Sequence, residues 1–171
     1  YIKTFTIPAD GSSITQVQSL EHNTDHSVET SFLQMSTSDY ALAYEGSDGD
    51  GYISAFTIST DGATITKIST LEYEKDRGHY NSLVKVDSDT YVLAYAGVDN
   101  DGYISTFTIP ADGSSITKVA TLEHDTNAGN YNSLVKVDDD TYALAYTGNN
   151  TDGYIKTFTI PADGSSITQV Q

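Results

Sequence analysis

No cysteine occurs in the chain, which removes disulfides, thiolate nucleophiles and sulfur-ligated zinc or iron while leaving the redox compartment open. Positive charge is scarce: Lys and Arg total 8 against 24 Asp and Glu, a net charge of −16 on 171 residues. So negative a surface repels nucleic acid backbones and anionic membranes, and neither is an expected partner. No apolar run approaches the roughly 18 residues of a membrane-spanning helix, and no stretch carries a convincing helical period. The opening Tyr1-Ile2-Lys3-Thr4-Phe5 has no charged leader and no initiator Met, which reads as a cut or processed start. What remains is an ordinary folding composition, 37% hydrophobic and 11% aromatic, enough for one domain with a proper core. Strong acidity keeps a repetitive β-rich surface soluble and suits a secreted protein, so an extracellular or cell-surface location is expected.

The chain repeats itself. Tyr1-Ile2, Tyr52-Ile53, Tyr103-Ile104 and Tyr154-Ile155 recur every 51 residues without a gap, and residues 52–102 match residues 103–153 at 32 of 51 positions. Residues 1–18 are identical to residues 154–171. One repeat domain therefore covers residues 1–171, as units 1–51, 52–102 and 103–153 and a partial unit 154–171.

Within a unit the patterning is that of short strands. Gly153 to Ile160 alternates Tyr, Lys, Phe and Ile with Ile, Thr and Thr, a period of two. The run Pro161-Ala162-Asp163-Gly164-Ser165-Ser166 is hairpin chemistry, Asp-Gly supplying the positive φ of a tight turn. In the third unit a second strand is expected over 116–122, a third over 133–137 and a fourth over 141–146, the last two joined by Asp138-Asp139-Asp140. Four antiparallel strands in 51 residues make one blade of a β-propeller, a sheet that must bury both faces against its neighbours. Ala143 and Ala145 alternate with Tyr142, Leu144 and Tyr146, the small-against-large pattern of stacked sheets. A β-solenoid fits less well, because hairpin turns favour antiparallel meanders. The expected fold is all-β, a propeller-type array of four-stranded antiparallel blades, about three and a half per chain.

The wording of the units, Ser82-Leu83-Val84-Lys85-Val86-Asp87-Ser88-Asp89-Thr90-Tyr91-Val92-Leu93-Ala94-Tyr95 followed by Asp101-Gly102-Tyr103-Ile104-Ser105-Thr106-Phe107-Thr108-Ile109, resembles tandem repeats in large secreted proteins of marine archaea and bacteria. The resemblance covers the whole chain. It implies an extracellular propeller-like repeat and brings no catalytic residue with it.

Three and a half blades cannot close a ring, since propellers use about 4 to 8. The identical ends suggest self-association: residues 1–18 of one chain could replace residues 154–171 of another against the same hairpin, giving a closed homo-oligomer or an open fibre.

An antiparallel meander puts two kinds of connection on each rim. One rim repeats Asp10-Gly11, Asp61-Gly62, Asp112-Gly113 and Asp163-Gly164, as scaffold turns do. The other carries segments 22–30, 73–81 and 124–132, which diverge, and a ligand is expected there. The candidates are Tyr73, His79, Tyr80, Asn81, His124, Tyr131 and Asn132, aromatic rings and amides that could stack on a sugar and bond its hydroxyls. The other ten Tyr fall at three repeated positions and are expected to pack between blades.

The loops Asp48-Gly49-Asp50-Gly51, Asp99-Asn100-Asp101-Gly102 and Asn150-Thr151-Asp152-Gly153 echo calcium loops. Asp48, Asp50, Asp99, Asp101, Asn150 and Asp152 are thus candidate calcium ligands. The echo is partial, because no bidentate acid follows late in the loop, and a plain hairpin reading takes precedence. The four His share no spacing that assigns them a metal.

Catalytic motifs are absent: no Gly-x-Ser-x-Gly elbow, no Cys nucleophile, no His-Glu-x-x-His and no phosphate-cradling loop. Arg77 is the only Arg, too few for a sialidase-like carboxylate clamp. Asp138 and Asp140 could imitate a glycosidase pair but sit in a repeated turn. The expectation is a non-enzymatic extracellular structural or assembly repeat without an obligatory cofactor. The alternative is a glycan- or protein-binding propeller acting through the divergent rim.

Overall fold

The computed structural model describes residues 1–171 and contains fourteen strands. The first two, β1 (Ile2–Thr6) and β2 (Thr15–Leu20), form a two-stranded sheet. Blade I follows, with β3 (Val28–Gln34), β4 (Asp39–Glu45), β5 (Gly51–Ile58) and β6 (Ile65–Glu74) hydrogen-bonded in chain order. Blade II repeats the meander with β7 (His79–Lys85), β8 (Thr90–Ala96), β9 (Gly102–Thr108) and β10 (Thr117–Asp125). Blade III comprises β11 (Asn130–Lys136), β12 (Thr141–Thr147), β13 (Gly153–Thr159) and β14 (Thr168–Gln169). All pairings are antiparallel, as the hairpin chemistry of the sequence requires. No helix is long and apolar enough to cross a membrane.

Each blade junction is built from one small and one large sheet face. Between blades I and II, Ala41, Ala43, Ile53 and Ala55 meet Leu83, Tyr91, Leu93, Tyr95 and Phe107. Between blades II and III, Val92, Ala94 and Ile104 meet Tyr142, Leu144, Tyr146 and Phe158. Burying one such aromatic or aliphatic side chain stabilises the fold by about 1.5–3 kcal/mol, so the junctions hold the array together.

Polar contacts fix the stagger of the blades. Ser31 Oγ accepts the Leu83 amide at 2.9 Å and Ser82 Oγ accepts the Leu134 amide at 2.9 Å, joining the inner strands β3, β7 and β11. On the far rim Thr4, Ser69 and Thr106 hydroxyls donate to the carbonyls of Gly62, Gly113 and Gly164 at 2.6–2.7 Å. Those glycines have φ of +65° to +70°, the left-handed geometry expected of the Asp-Gly turns.

Two details differ from the sequence expectation. The second and third strands of the third unit run over Thr117–Asp125 and Asn130–Lys136 rather than 116–122 and 133–137, so the divergent loops shrink to residues 75–78 and 126–129. The Asp/Asn-rich loops contain 3₁₀ turns, Ser47–Gly49, Val98–Asn100 and Asn149–Thr151, with Asp48, Asp99 and Asn150 at positive φ.

The two terminal sheets have bare faces. Phe5 is 51% exposed, whereas Phe56, Phe107 and Phe158 at the same repeat position are at most 1% exposed. Ile155 is 75% exposed while Ile53 and Ile104 are fully buried.

Candidate functional site

The inner strands β3, β7 and β11 each carry an irregularity next to the rim, where the pairing register slips between Val28 and Ser31, His79 and Ser82, and Asn130 and Ser133. Glu29, Tyr80 and Tyr131 occupy these slips with φ of +50°, +55° and +54°. Left-handed backbone at a bulky non-glycine residue stores about 1–3 kcal/mol each, and such strain clusters at functional sites. The slips turn three side chains toward the axis on which the inner strands converge.

Asn81 and Asn132 hold that geometry. The Asn81 side-chain amide donates to the Gly78 carbonyl at 2.8 Å and to the Glu29 carbonyl at 3.2 Å. One repeat later, Asn132 donates to Gly129 at 2.8 Å and to Tyr80 at 3.3 Å. Each Asn therefore ties the strained carbonyl of the preceding blade to its own blade, and its N–H groups are committed to the scaffold.

Together Glu29, Thr30, Tyr80, Asn81, Tyr131 and Asn132 line an open depression of about 440 Å³ at the axial mouth. The Tyr80 and Tyr131 rings lie 4.4 Å apart, tilted by 42°, and Tyr131 is 68% exposed. The neighbouring Tyr131 hydroxyl, then partial burial and the Glu29 charge, push the Tyr80 hydroxyl up to about 12, so it is a neutral donor at physiological pH. The depression thus offers two phenols and a carboxylate with no basic side chain among its lining residues.

Four of the seven ligand-binding candidates, Tyr80, Asn81, Tyr131 and Asn132, meet here. Tyr73 and His124 do not. Their position, shared with His22, lies within or beside the outer strands and is buried in the blade junctions. Each of the three rings is edge-on to a core tyrosine, at 5.0 Å (His22 to Tyr44), 4.9 Å (Tyr73 to Tyr95) and 4.9 Å (His124 to Tyr146). Sequence divergence at this position reflects two ways of filling one cavity and not a rim surface. Burial pushes His22 and His124 down to about 4, leaving both neutral.

His79 sits half-buried at the start of β7, beside the axial mouth. Its Nδ1 lies 3.8 Å from Glu29 and its Nε2 3.4 Å from Glu45; His26 Nε2 lies 3.6 Å from the same Glu45 oxygen. Glu29 and Glu45 were not singled out by the sequence, although Glu45 stands where the other units have Ala96 and Thr147. A charge replacing a small strand residue was the available signal.

The candidate calcium loops stay at the rim. Asp48, Asp99 and Asn150 form the left-handed residues of their 3₁₀ turns, Asp50 accepts from the Tyr52 hydroxyl at 3.5 Å, and the Arg77 guanidinium bonds the Asn100 side chain. Asp101 and Asp152 close the loops by accepting the backbone amides of Gly97 and Gly148 at 2.9 Å through their carbonyls. The cluster of three His or carboxylate donors that the fold gathers is Glu29, Glu45 and His79, outside these loops.

Among solved structures the chain is similar to a Lactobacillus plantarum protein (TM-score 0.72, 18% identity, 99% of this chain and 50% of that one). It is also similar to the periplasmic gluconolactonase of Pseudomonas aeruginosa (TM-score 0.62, 12% identity, 99% and 62%) and to the α-L-arabinanase of Penicillium chrysogenum complexed with arabinobiose (TM-score 0.54, 15% identity, 99% and 54%). The chain spans between half and just under two thirds of the length of these structures. No curated protein matches it. The sequence profile of the family described as lactonase, 7-bladed beta-propeller, matches residues 1–133, and with the repeated four-stranded blades this places the chain in the seven-bladed β-propeller lactonase family.

Proposed function

We propose that this chain is an extracellular, non-catalytic binding propeller that takes a neutral saccharide at its axial mouth. The observation that carries the reading is the Tyr80–Tyr131 pair, held by strained backbone over a polar depression beside Glu29. Aromatic faces pack on the C–H surfaces of a sugar ring, while phenol and carboxylate oxygens take its hydroxyls. A net charge of −16 and the Glu29 carboxylate disfavour anionic sugars. Support also comes from similarity to a gluconolactonase and to an arabinanase holding arabinobiose, although those activities belong to those proteins. Lactone hydrolysis would need groups to polarise a carbonyl and stabilise an oxyanion. The lining provides no Arg, Lys or His for that task.

The test is calorimetry with neutral arabino- and gluco-oligosaccharides, alongside a gluconolactone hydrolysis assay. Binding that Tyr131→Ala abolishes, with no turnover, supports the reading. Turnover that depends on Glu29 would replace it with an enzyme.

A second reading, assembly with another copy, rests on the bare faces at Phe5 and Ile155. The two faces are the large and small halves of a blade junction, so they complement each other head to tail. Binding and assembly are compatible, because the axial mouth lies on the inner strands and not on the terminal faces.

A further inference from the structure

We propose that Glu29, Glu45 and His79 form a binding site for a divalent transition-metal cation at the junction of blades I and II. One donor atom from each of the first three lies within 4.8 Å of the other two. A cation with bonds of about 2.0–2.1 Å separates its ligand atoms by roughly 3.3 to 4.2 Å, and the 3.4 Å between His79 Nε2 and the Glu45 oxygen falls in that range; the Glu29 carboxylate, 3.8 Å from Nδ1 on the other side of the ring, is the third donor of the cluster.

Glu45 supplies the independent reason. It is only 8% exposed, and burying a carboxylate is costly without close partners. Its contacts are the two imidazoles, at 3.4 and 3.6 Å. Charge-assisted hydrogen bonds of this type run about 2.7–2.9 Å, so the imidazoles surround the carboxylate at more than bonding distance. A cation bound by Glu45 and His79 would give the buried carboxylate the partner that these distances leave it without.

The donors are also specific to this junction. Glu29 replaces Tyr80 and Tyr131, Glu45 replaces Ala96 and Thr147, and His79 replaces Val28 and Asn130. Three departures from the repeat, scattered over 51 residues of sequence, meet at one place. Imidazole with carboxylate suits zinc, cobalt or nickel, whereas calcium takes oxygen ligands. Two carboxylates supply the negative charge that a dication neutralises. Gly49 covers the cluster from the rim: a Cβ there would approach His79 Nε2 to 3.6 Å, so the turn closes over the imidazole without a side chain.

The test titrates Co²⁺ and Zn²⁺ into chelator-stripped chain, followed by visible absorption and calorimetry, and does not depend on sugar binding. Glu45→Ala and His79→Asn install residues that the fold already holds at Ala96 and Asn130, which keeps folding intact. One ion per chain, with affinity lowered about tenfold or more by either variant and unchanged in Asp48→Asn, supports the site. No saturable binding overturns it, as does equal affinity in His79→Asn or loss of binding in Asp48→Asn. An NMR titration showing a persistent His79 imidazolium that metal does not displace also overturns it.

Discussion

The Tyr73 hydroxyl donates a 2.5 Å hydrogen bond to the Asn81 side-chain oxygen. One repeat later His124 and Asn132 stand at the same places, and Asn132 Oδ1 and both ring nitrogens of His124 are buried without a partner. The difference is one of reach: a phenol extends beyond an imidazole. The scaffold around the two rings is otherwise alike, since a Cβ on Gly51 would come within 2.5 Å of Tyr73 and one on Gly102 within 2.5 Å of His124.

His124→Tyr should therefore stabilise the chain. Satisfying a buried acceptor is worth about 1 kcal/mol, and urea unfolding should show the midpoint rising by that equivalent. A lower midpoint would mean that blade III cannot accept the ring that blade II accepts.

Acid should destabilise the parent protein in a defined window. Burial, with the Lys156 charge adding to it at His124, holds His22 and His124 down to about 4, while in an unfolded chain the imidazole titrates near 6.5. Between those values the unfolded chain binds protons that the folded chain refuses, so stability is full above about pH 6.5 and falls as pH drops toward 4. Thermal melts from pH 7.5 to 4 should show this decline, and His124→Tyr should flatten it, leaving the share due to His22. Below that window, Asp10, Asp112 and Asp163, held low by backbone amides, and Asp61, held low by the Ser59 hydroxyl, extend the loss.

Gly102→Ala and Gly153→Ala make a matched pair at one repeat position. The Gly102 methyl would meet the buried His124 ring at 2.5 Å, whereas at Gly153 nothing lies within 4 Å. Overpacking of this kind costs about 1–3 kcal/mol, so Gly102→Ala should lose that much in denaturant unfolding and Gly153→Ala should change little.

Ile155→Lys should reduce self-association. It places a charge on the face left bare on blade III, where the equivalent Ile53 and Ile104 are fully buried. Light scattering at micromolar concentration should show the parent as an oligomer and the variant shifted toward monomer; a monomeric parent would remove the assembly reading.

Much of the fold is legible in the sequence because the 51-residue period, the Asp-Gly turns and the alternation of Ala143 and Ala145 with Tyr142, Leu144 and Tyr146 are all local signals. The site is legible only in part. Tyr80 and Tyr131 stand out by divergence, but so do Tyr73 and His124, and a single sequence cannot separate a variable rim from a variable core position. Glu45 is hidden for a different reason: it ends β4, a strand that otherwise reads as scaffold, and its partners His26 and His79 come near only once blades I and II are stacked. The left-handed backbone of Glu29, Tyr80 and Tyr131 leaves no compositional trace either, because none is Gly, Asn or Asp.

The sequence unit and the blade are out of phase. Residues 52–102 contribute nearly all of β5 and the whole of β6 to blade I, then β7 and β8 to blade II, so every copy is shared between two sheets. Gain or loss of a copy by duplication thus never inserts a free-standing blade; it always re-forms one sheet from two hairpins of different copies. An array of whole copies begins with an outer hairpin and ends with an inner one, and these are mates. The offset supplies such a ring with its own clasp, made of the same backbone ladder that holds each blade.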